Sequence, residues 1–427
     1  MAEPSSDVRH LLIFEADARG HAAEWIEHLA RRIARERSPA KLSLAIPVGL
    51  ADEIVGGGHE SWRASLHVVP LRKWELALCS CRLLAISAFA RWWVMRRKLA
   101  AAHADHGLFL SIDHLTLPLG LGLGFGGRQI SGILFRPSVH YVATHEAKPR
   151  LAERVRELRK AVLYRATLAN PAVRSIRSLD PYFPAYAAAH YRYSEKIRGV
   201  PDPAHPYPMS ETPDVPCIEG IPACRTVFAL FGVLSRRKGI LALLEALRRL
   251  EPRYASAIAV CIAGEIDPSI ARHVTDALAE LADLRPELWL RVENRRLSTA
   301  ELAAVVNRAD VILAPYQRFV GSSGVLLWAA KSGKPVISQE YGLLGRLVGD
   351  YGLGMAVDTS DPSEIAAALA ATVRRGAESL GDPAGMKRLL DSRTCDGFTD
   401  AVLDGLRATS ASRPILVANV GKAAATD

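Results

Sequence analysis

Two glycine-centred segments carry the residue types that hold phosphate. Phe231-Gly232-Val233-Leu234-Ser235-Arg236-Arg237-Lys238-Gly239 sets glycines and three cations between an apolar run and a helix-like run. Gly321-Ser322-Ser323-Gly324 occupies the same kind of junction about ninety residues later. At such junctions the first backbone N–H groups of a helix are free to point at an anion. Lys238 adds a point charge, and Arg236 or Arg237 a forked, bidentate donor. Ser322 and Ser323 can cap the helix, donate to phosphate, or do both. Gly232 and Gly324 let a ligand approach the backbone closely. Together the two segments predict a pocket for a diphosphate-linked ligand; each alone also suits a basic surface turn or a plain helix cap.

Other titratable residues stand directly after strand-like runs. Asp113-His114 follows Leu108–Ile112, and His140 follows Ile130–Phe135. The first strand, His10–Phe14, leads into Glu15-Ala16-Asp17-Ala18-Arg19-Gly20-His21, a loop that can equally be a turn with Asp17 as a helix cap. The segment 71–102 differs in character, with Trp74, Trp92 and Trp93 among Arg72, Lys73, Arg82, Arg91, Arg96, Arg97 and Lys98. Tryptophan beside arginine and lysine suits an anionic headgroup interface, and a helix with core tryptophans and solvated charges fits as well.

Elements must position these groups. In the first half, His10–Phe14, Ser43–Pro47, Leu66–Pro70, Leu108–Ile112 and Ile130–Phe135 read as strands. In Glu24–Ile33, Trp25, Ile26, Leu29 and Ile33 recur at helical spacing. In the second half the strands are Thr226–Phe231, Ile258–Ala263, Leu288–Val292, Val311–Pro315 and Pro335–Ser338. Helices start at the capping box Ser298-Thr299-Ala300-Glu301 and at Asp361-Pro362. This alternation predicts α/β architecture: two Rossmann-like, doubly wound domains facing a central cleft. The proline-rich stretch Pro201–Pro222 separates them. The expected boundaries are an N-terminal acceptor-side domain over 1–205, a linker over 206–225, a C-terminal nucleotide-side domain over 226–395, and a final helix with a frayed tail over 396–427. Ligands in such sheets bind beyond the carboxyl ends of the strands, where every segment above lies.

Composition narrows the partner. A net charge of +9 and a pI near 9.3 favour anions: nucleotide phosphates, an anionic membrane surface or nucleic acid. No nucleic-acid motif accompanies the charge, so no nucleic-acid partner is expected. The six cysteines lack zinc-finger spacing and read as reduced thiols. The run Leu76–Ala90 carries Arg82 and is shorter than the ~20 residues of a spanning helix. The first residues lack a basic region followed by an apolar core. A cytoplasmic protein is expected, with peripheral contact to the inner face of the cell membrane through 71–102 as an option.

Residues 226–375 resemble the donor-binding half of GT-B glycosyltransferases, most nearly the retaining family 4, or group 1, superfamily. The resemblance rests on Phe231–Gly239, then Ala263-Gly264-Glu265, then Ala309-Asp310-Val311-Ile312-Leu313-Ala314-Pro315-Tyr316, then Ser323-Gly324-Val325-Leu326 and Gly333-Lys334-Pro335-Val336-Ile337. It implies a sugar moved from a nucleotide-diphosphate sugar co-substrate to an acceptor hydroxyl (a glycan, a lipid-linked glycan or a small molecule), with retention and without a required metal or cofactor. It implies donor binding by Gly232, Arg236, Arg237, Lys238, Ser322, Ser323 and Gly324. It implies an acceptor-side loop at Gly20 and His21, and His114, Asp113 and His140 as catalytic candidates at the sugar site. The family's pair of glutamates around the second turn falls on Val320 and Trp328 here, and the arginine that often follows the first glycine is Val233. An active transferase is the expectation. A non-catalytic nucleotide-sugar or partner-binding protein, or a nucleotide-sugar epimerase, are the alternatives.

Overall fold

The computed structural model describes residues 8–17, 22–37, 41–56, 61–141, 151–205 and 213–406. Among the described residues, thirteen strands form two all-parallel sheets. The first holds β1 (His10–Phe14), β2 (Lys41–Ala45), β3 (His67–Val68), β4 (His106–Phe109), β5 (Gln129–Leu134), β6 (Val173–Ser178) and β7 (Ile197–Gly199) in the order β3-β2-β1-β4-β5-β6-β7. The second holds β8 (Thr226–Phe231), β9 (Ile258–Ala263), β10 (Trp289–Glu293), β11 (Val311–Ala314), β12 (Val336–Gln339) and β13 (Gly354–Val357) in the order β10-β9-β8-β11-β12-β13. Strand order reverses between β1 and β4 and again between β8 and β11. Crevices open at the carboxyl ends of the strands at such switch points. Both glycine segments follow a strand that flanks the second one.

The central strands are buried on both faces, as parallel strands covered by helices must be. Leu11, Leu12 and Ile13 of β1 and all six residues of β9 are inaccessible to solvent. The helix Ala22–Glu36 buries Trp25, Ile26, Leu29 and Ile33, the spacing visible in the sequence. The capping box at Ser298 and the Asp361 cap both form, with Glu301 N donating to Ser298 Oγ at 3.2 Å and Ser363 N to Asp361 Oδ1 at 2.8 Å.

Strand positions agree with expectation to within three residues wherever an apolar run announces them, the widest gap being Leu108–Ile112 against the observed His106–Phe109. Three strands lie outside the expected set. β6 reads Val-Arg-Ser-Ile-Arg-Ser, β7 is Ile-Arg-Gly, and β13 begins on Gly354. Arginines or a glycine interrupt the apolar pattern in each. Arg177 on β6 is nonetheless buried, and burial holds its guanidinium down to about 10.

The chain crosses between the sheets more than once. Within the proline-rich stretch, Val215 and Cys217 are buried in the core of the second sheet. The helix Cys395–Asp404 then returns to the first sheet, where Phe398, Val402 and Leu403 join a core with Trp25, Ile26 and Leu29. The ring centroids of Trp25 and Phe398 are 4.9 Å apart.

Candidate active site between the two sheets

The two glycine segments meet through one hydrogen-bonded chain. Lys238 Nζ donates to Tyr316 Oη at 2.7 Å, and Tyr316 Oη lies 2.6 Å from Ser323 Oγ. Lys238 is only 5% exposed, and its ammonium stands 4.6 Å from the Tyr316 ring centroid. Burial alone would push the Tyr316 phenol up. The charge and hydrogen bond of Lys238, with the Ser323 contact, outweigh burial and hold it below its ordinary value. Ser323 is also the cap of the helix Gly324–Lys331. Polar groups are thus gathered at the start of that helix.

Backbone geometry explains the glycines. Gly239 has φ +83°, and a Cβ there would lie 1.7 Å from Pro315 O. Only glycine lets the turn after β8 pack on the end of β11. Gly232 has φ +97°, and its missing Cβ would stand 3.6 Å from Lys238 Nζ, so the space beside the ammonium stays open. Arg237 and Arg236 are solvent-exposed; the Arg237 guanidinium lies 4.4 Å from the Phe319 ring centroid. Gln317 N donates to Arg237 O at 2.9 Å, a second tie between the segments.

The second turn also touches the first half of the chain. Ser322 Oγ donates to Asp202 Oδ2 at 2.5 Å, which places this hydroxyl in a contact between the halves. The Arg136 guanidinium lies 5.7 Å from the Phe319 ring centroid. The loop is pinned from below by Gln339, which accepts from Phe319 N at 3.0 Å and donates to Tyr341 O at 2.6 Å. Trp328 is buried and meets Phe231 edge-on at 6.2 Å, and Val320 packs against the same core. The two positions where carboxylates are usual in the resembling family therefore serve packing here.

The first sheet presents a sparser face. Asp113 accepts from Phe135 N and Arg136 N, both at 2.9 Å, so its carboxylate clamps the end of β5. His114 is exposed beside it; partial desolvation first, then the positive charge of Arg91, keep its imidazole below the ordinary histidine value. His140 is placed differently. It is buried, with Nε2 at 3.1 Å from Asp180 Oδ2, and Tyr141 Oη donates to the same carboxylate oxygen at 2.5 Å. His140 Nδ1 is buried without a hydrogen-bond partner. Among the described residues, hydrogen bonds tie His140 to Asp180 and not to Asp113 or His114. Gly20 and His21 lie outside the described residues.

Several groups at the site escaped the sequence reading. Tyr316 ends a matched motif, but a tyrosine after a strand gives no hint of a lysine partner 78 residues away. Glu15 follows β1 and is only 7% exposed. It accepts from Ala16 N and Asp17 N, each at 2.8 Å, and lies 3.8 Å from Arg91. Burial dominates and pushes its carboxyl up to about 6. Position after a strand was the available clue for Glu15, and burial of a carboxylate is not legible in sequence.

The segment 71–102 divides by face. It forms two helices, Lys73–Cys79 and Leu84–Ala101. Arg91 and Lys98 point inward; Arg91 Nε donates to Cys79 O at 3.3 Å, and Lys98 Nζ to Pro70 O at 2.8 Å with Glu75 at 3.0 Å. Trp92 is half-buried and donates to Gly124 O at 3.1 Å. Trp74, Leu78, Leu83, Leu84, Ile86 and Trp93 are exposed, Leu84 by 72%. Arg97 lies over the rings of both Trp74 and Trp93. Among the described residues, no helix is long and apolar enough to cross a membrane.

Comparison with known proteins agrees with this fold. Residues 225–375 match the family described as glycosyl transferases group 1. No curated protein is significantly similar in sequence to this chain. Among solved structures, sucrose-phosphate synthase from Thermosynechococcus elongatus superposes with a TM-score of 0.65 at 16% identity, covering 92% of this chain and 96% of that one. Anabaena HepE in complex with UDP and glucose gives 0.61 at 14% identity, covering 93% and 99%. WaaG, a glycosyltransferase involved in lipopolysaccharide biosynthesis, gives 0.60 at 14% identity, covering 92% and 98%. The fold is GT-B: two Rossmann-like domains, each built on a parallel sheet.

Proposed function

We propose that the protein transfers a sugar from a nucleoside diphosphate sugar to an acceptor hydroxyl, with the donor held by the second sheet. The observation that carries this reading is the chain from Lys238 through Tyr316 to Ser323, which joins two phosphate-type turns at one switch point. The HepE complex with UDP and glucose, on the same fold, supports a nucleotide-sugar donor.

The chemistry follows from charge. Breaking the glycosidic bond leaves negative charge on the departing diphosphate, which fixed donors must stabilise. In this reading Lys238 meets that charge, with Arg236, Arg237, Ser323 and the N–H groups from Gly324 onward. Domain closure excludes water and so limits donor hydrolysis. Across the cleft, His114, Asp113 and Glu15 face the acceptor side, and His140 acts by holding Asp180 and Tyr141 in place. Retention at the anomeric carbon and a hexose donor follow from the family resemblance. The domain limits given from sequence complete the reading, with residues 1–205 as the acceptor side.

A second reading rests on a specific observation. Val320 and Trp328 supply no carboxylate for sugar or ribose hydroxyls, as a non-catalytic nucleotide-sugar binder would allow. A thermal-shift panel of nucleotide sugars separates these readings. Donor at 100 times its Kd should add about 2.7 kcal/mol. Stabilisation with slow acceptor-free hydrolysis supports the transferase, stabilisation without turnover toward any acceptor supports the binder, and no stabilisation by any nucleotide sugar overturns both.

The exposed face of Trp74, Trp93, Leu83 and Leu84, edged by Arg82, Arg96 and Arg97, supports peripheral contact with an anionic membrane. Replacing Trp74 and Trp93 with serine should reduce sedimentation with phosphatidylglycerol vesicles at least tenfold, without changing the circular dichroism spectrum. Unaltered sedimentation excludes that surface.

A further inference from the structure

We propose that His28, His205 and Cys395 form a zinc-type metal site that fastens the crossover between the two sheets. The three residues come from distant parts of the chain. His28 lies on the helix Ala22–Glu36, His205 on the proline-rich crossing, and Cys395 at the first turn of the returning helix Cys395–Asp404. Their ligand atoms all lie within 4.8 Å of one another.

The geometry suits a tetrahedral ion. His28 Nε2 and His205 Nδ1 face each other at 3.0 Å, with rings nearly parallel at 13°. Two imidazole nitrogens on one zinc, each at ~2.05 Å, stand about 3.3 Å apart. Replacing the shared proton by a divalent cation therefore opens the pair by only a few tenths of an ångström. A thiolate at ~2.3 Å from the same ion completes three protein ligands. Soft sulfur with two imidazoles favours zinc over magnesium or calcium.

A further contact points the same way. Glu24 Oε2 lies 2.9 Å from His205 Nε2, the ring nitrogen that faces away from His28. A carboxylate on the far nitrogen is the partner that orients a metal-bound imidazole. His205 is also fixed through its backbone, where its carbonyl oxygen accepts from Lys331 Nζ at 3.4 Å. Lys331 ends the helix that Ser323 caps. The site is independent of the donor reading, since none of its residues belongs to the phosphate-type turns.

Cobalt titration of the chelator-stripped full-length protein tests the proposal. The expected result is about one equivalent of Co2+ with tetrahedral d–d bands and a thiolate-to-metal charge-transfer band, displaced by Zn2+. Cys395→Ser should abolish the charge-transfer band, and His28→Gln should weaken binding at least tenfold. Cys224→Ser, at an exposed cysteine elsewhere, should leave the spectrum unchanged. Circular dichroism of each metal-free variant checks folding, and His28→Gln carries the test if Cys395→Ser does not fold. Absence of a tetrahedral spectrum, or a charge-transfer band that survives in folded Cys395→Ser, overturns the proposal.

Discussion

The two sides of the cleft are built on the same kind of sheet but hold their polar groups differently. On the second sheet, Lys238, Tyr316 and Ser323 bond to one another, so the phosphate-type turns form one connected unit. On the first sheet, Asp113 and Glu15 spend their oxygens on neighbouring backbone N–H groups, and His140 is held in the interior by Asp180. A connected cationic unit suits a ligand part that never varies, such as a diphosphate. Under the proposed function, a face of loop-clamping carboxylates beside the exposed His114 imidazole suits an acceptor that is free to differ.

The largest expected effect tests whether the second side depends on tight backbone contact. Gly239→Ala sets a Cβ against Pro315 O at positive φ and should cost about 3 kcal/mol of stability, read from the urea midpoint. On the first side, Gly122 also has positive φ (+79°) but open space around it. Gly122→Ala should cost only about 1 kcal/mol by the same measurement. Equal losses would remove the contrast.

Lys238→Ala removes the hub of the connected unit and leaves the Tyr316 hydroxyl without its donor. Donor affinity and turnover should both fall, by about 2 kcal/mol or roughly thirtyfold in binding. Unchanged calorimetric affinity would take Lys238 out of the site.

Glu15 sharpens the other side through pH. Its folded carboxyl is raised from 4.5 to about 6, so the folded protein binds its proton more tightly than the unfolded chain does. The resulting stability is fully present below pH 4.5 and is lost as pH rises through about 6. The loss is about 2 kcal/mol. Glu15→Gln should flatten that part of the stability profile in urea titrations at fixed pH steps. A profile that keeps its slope would assign it to other groups.

The smallest effect is expected at His114, which is exposed and carries no hydrogen bond that folding needs. His114→Gln should leave the melting temperature within about 1 °C, as surface substitutions do. Its turnover should change with acceptor more than with donor, read as KM for each. A change confined to the donor KM would move His114 across the cleft.

The contrast also separates what was legible in the sequence. The turns after β8 and before the helix Gly324–Lys331 were readable because glycine, serine and lysine between a strand and a helix restrict what the backbone can do. β8 and β9 were placed to the residue because each is an uninterrupted apolar run. β6 was not, since Arg174 and Arg177 break its pattern and only tertiary packing makes it a strand. The candidates Asp113, His114 and His140 looked alike in sequence, each standing after a strand. Their separation into a backbone clamp, an exposed ring and a buried ring depends on side-chain direction, which no spacing encodes. The link from Ser322 to Asp202 joins residues 120 apart and was invisible for the same reason.

The returning helix Cys395–Asp404 has a consequence for the order in which the molecule is made. Phe398, Val402 and Leu403 seal a core whose other residues, Trp25 and Leu29 among them, leave the ribosome several hundred residues earlier. The first half therefore emerges with an apolar face uncovered while the entire second half is translated. Domains that fold as they emerge usually finish in order from the N-terminus. Here the first to appear is the last to be completed. The nascent chain thus carries an aggregation-prone face through most of its synthesis, and a fragment cut at the crossing keeps that face permanently.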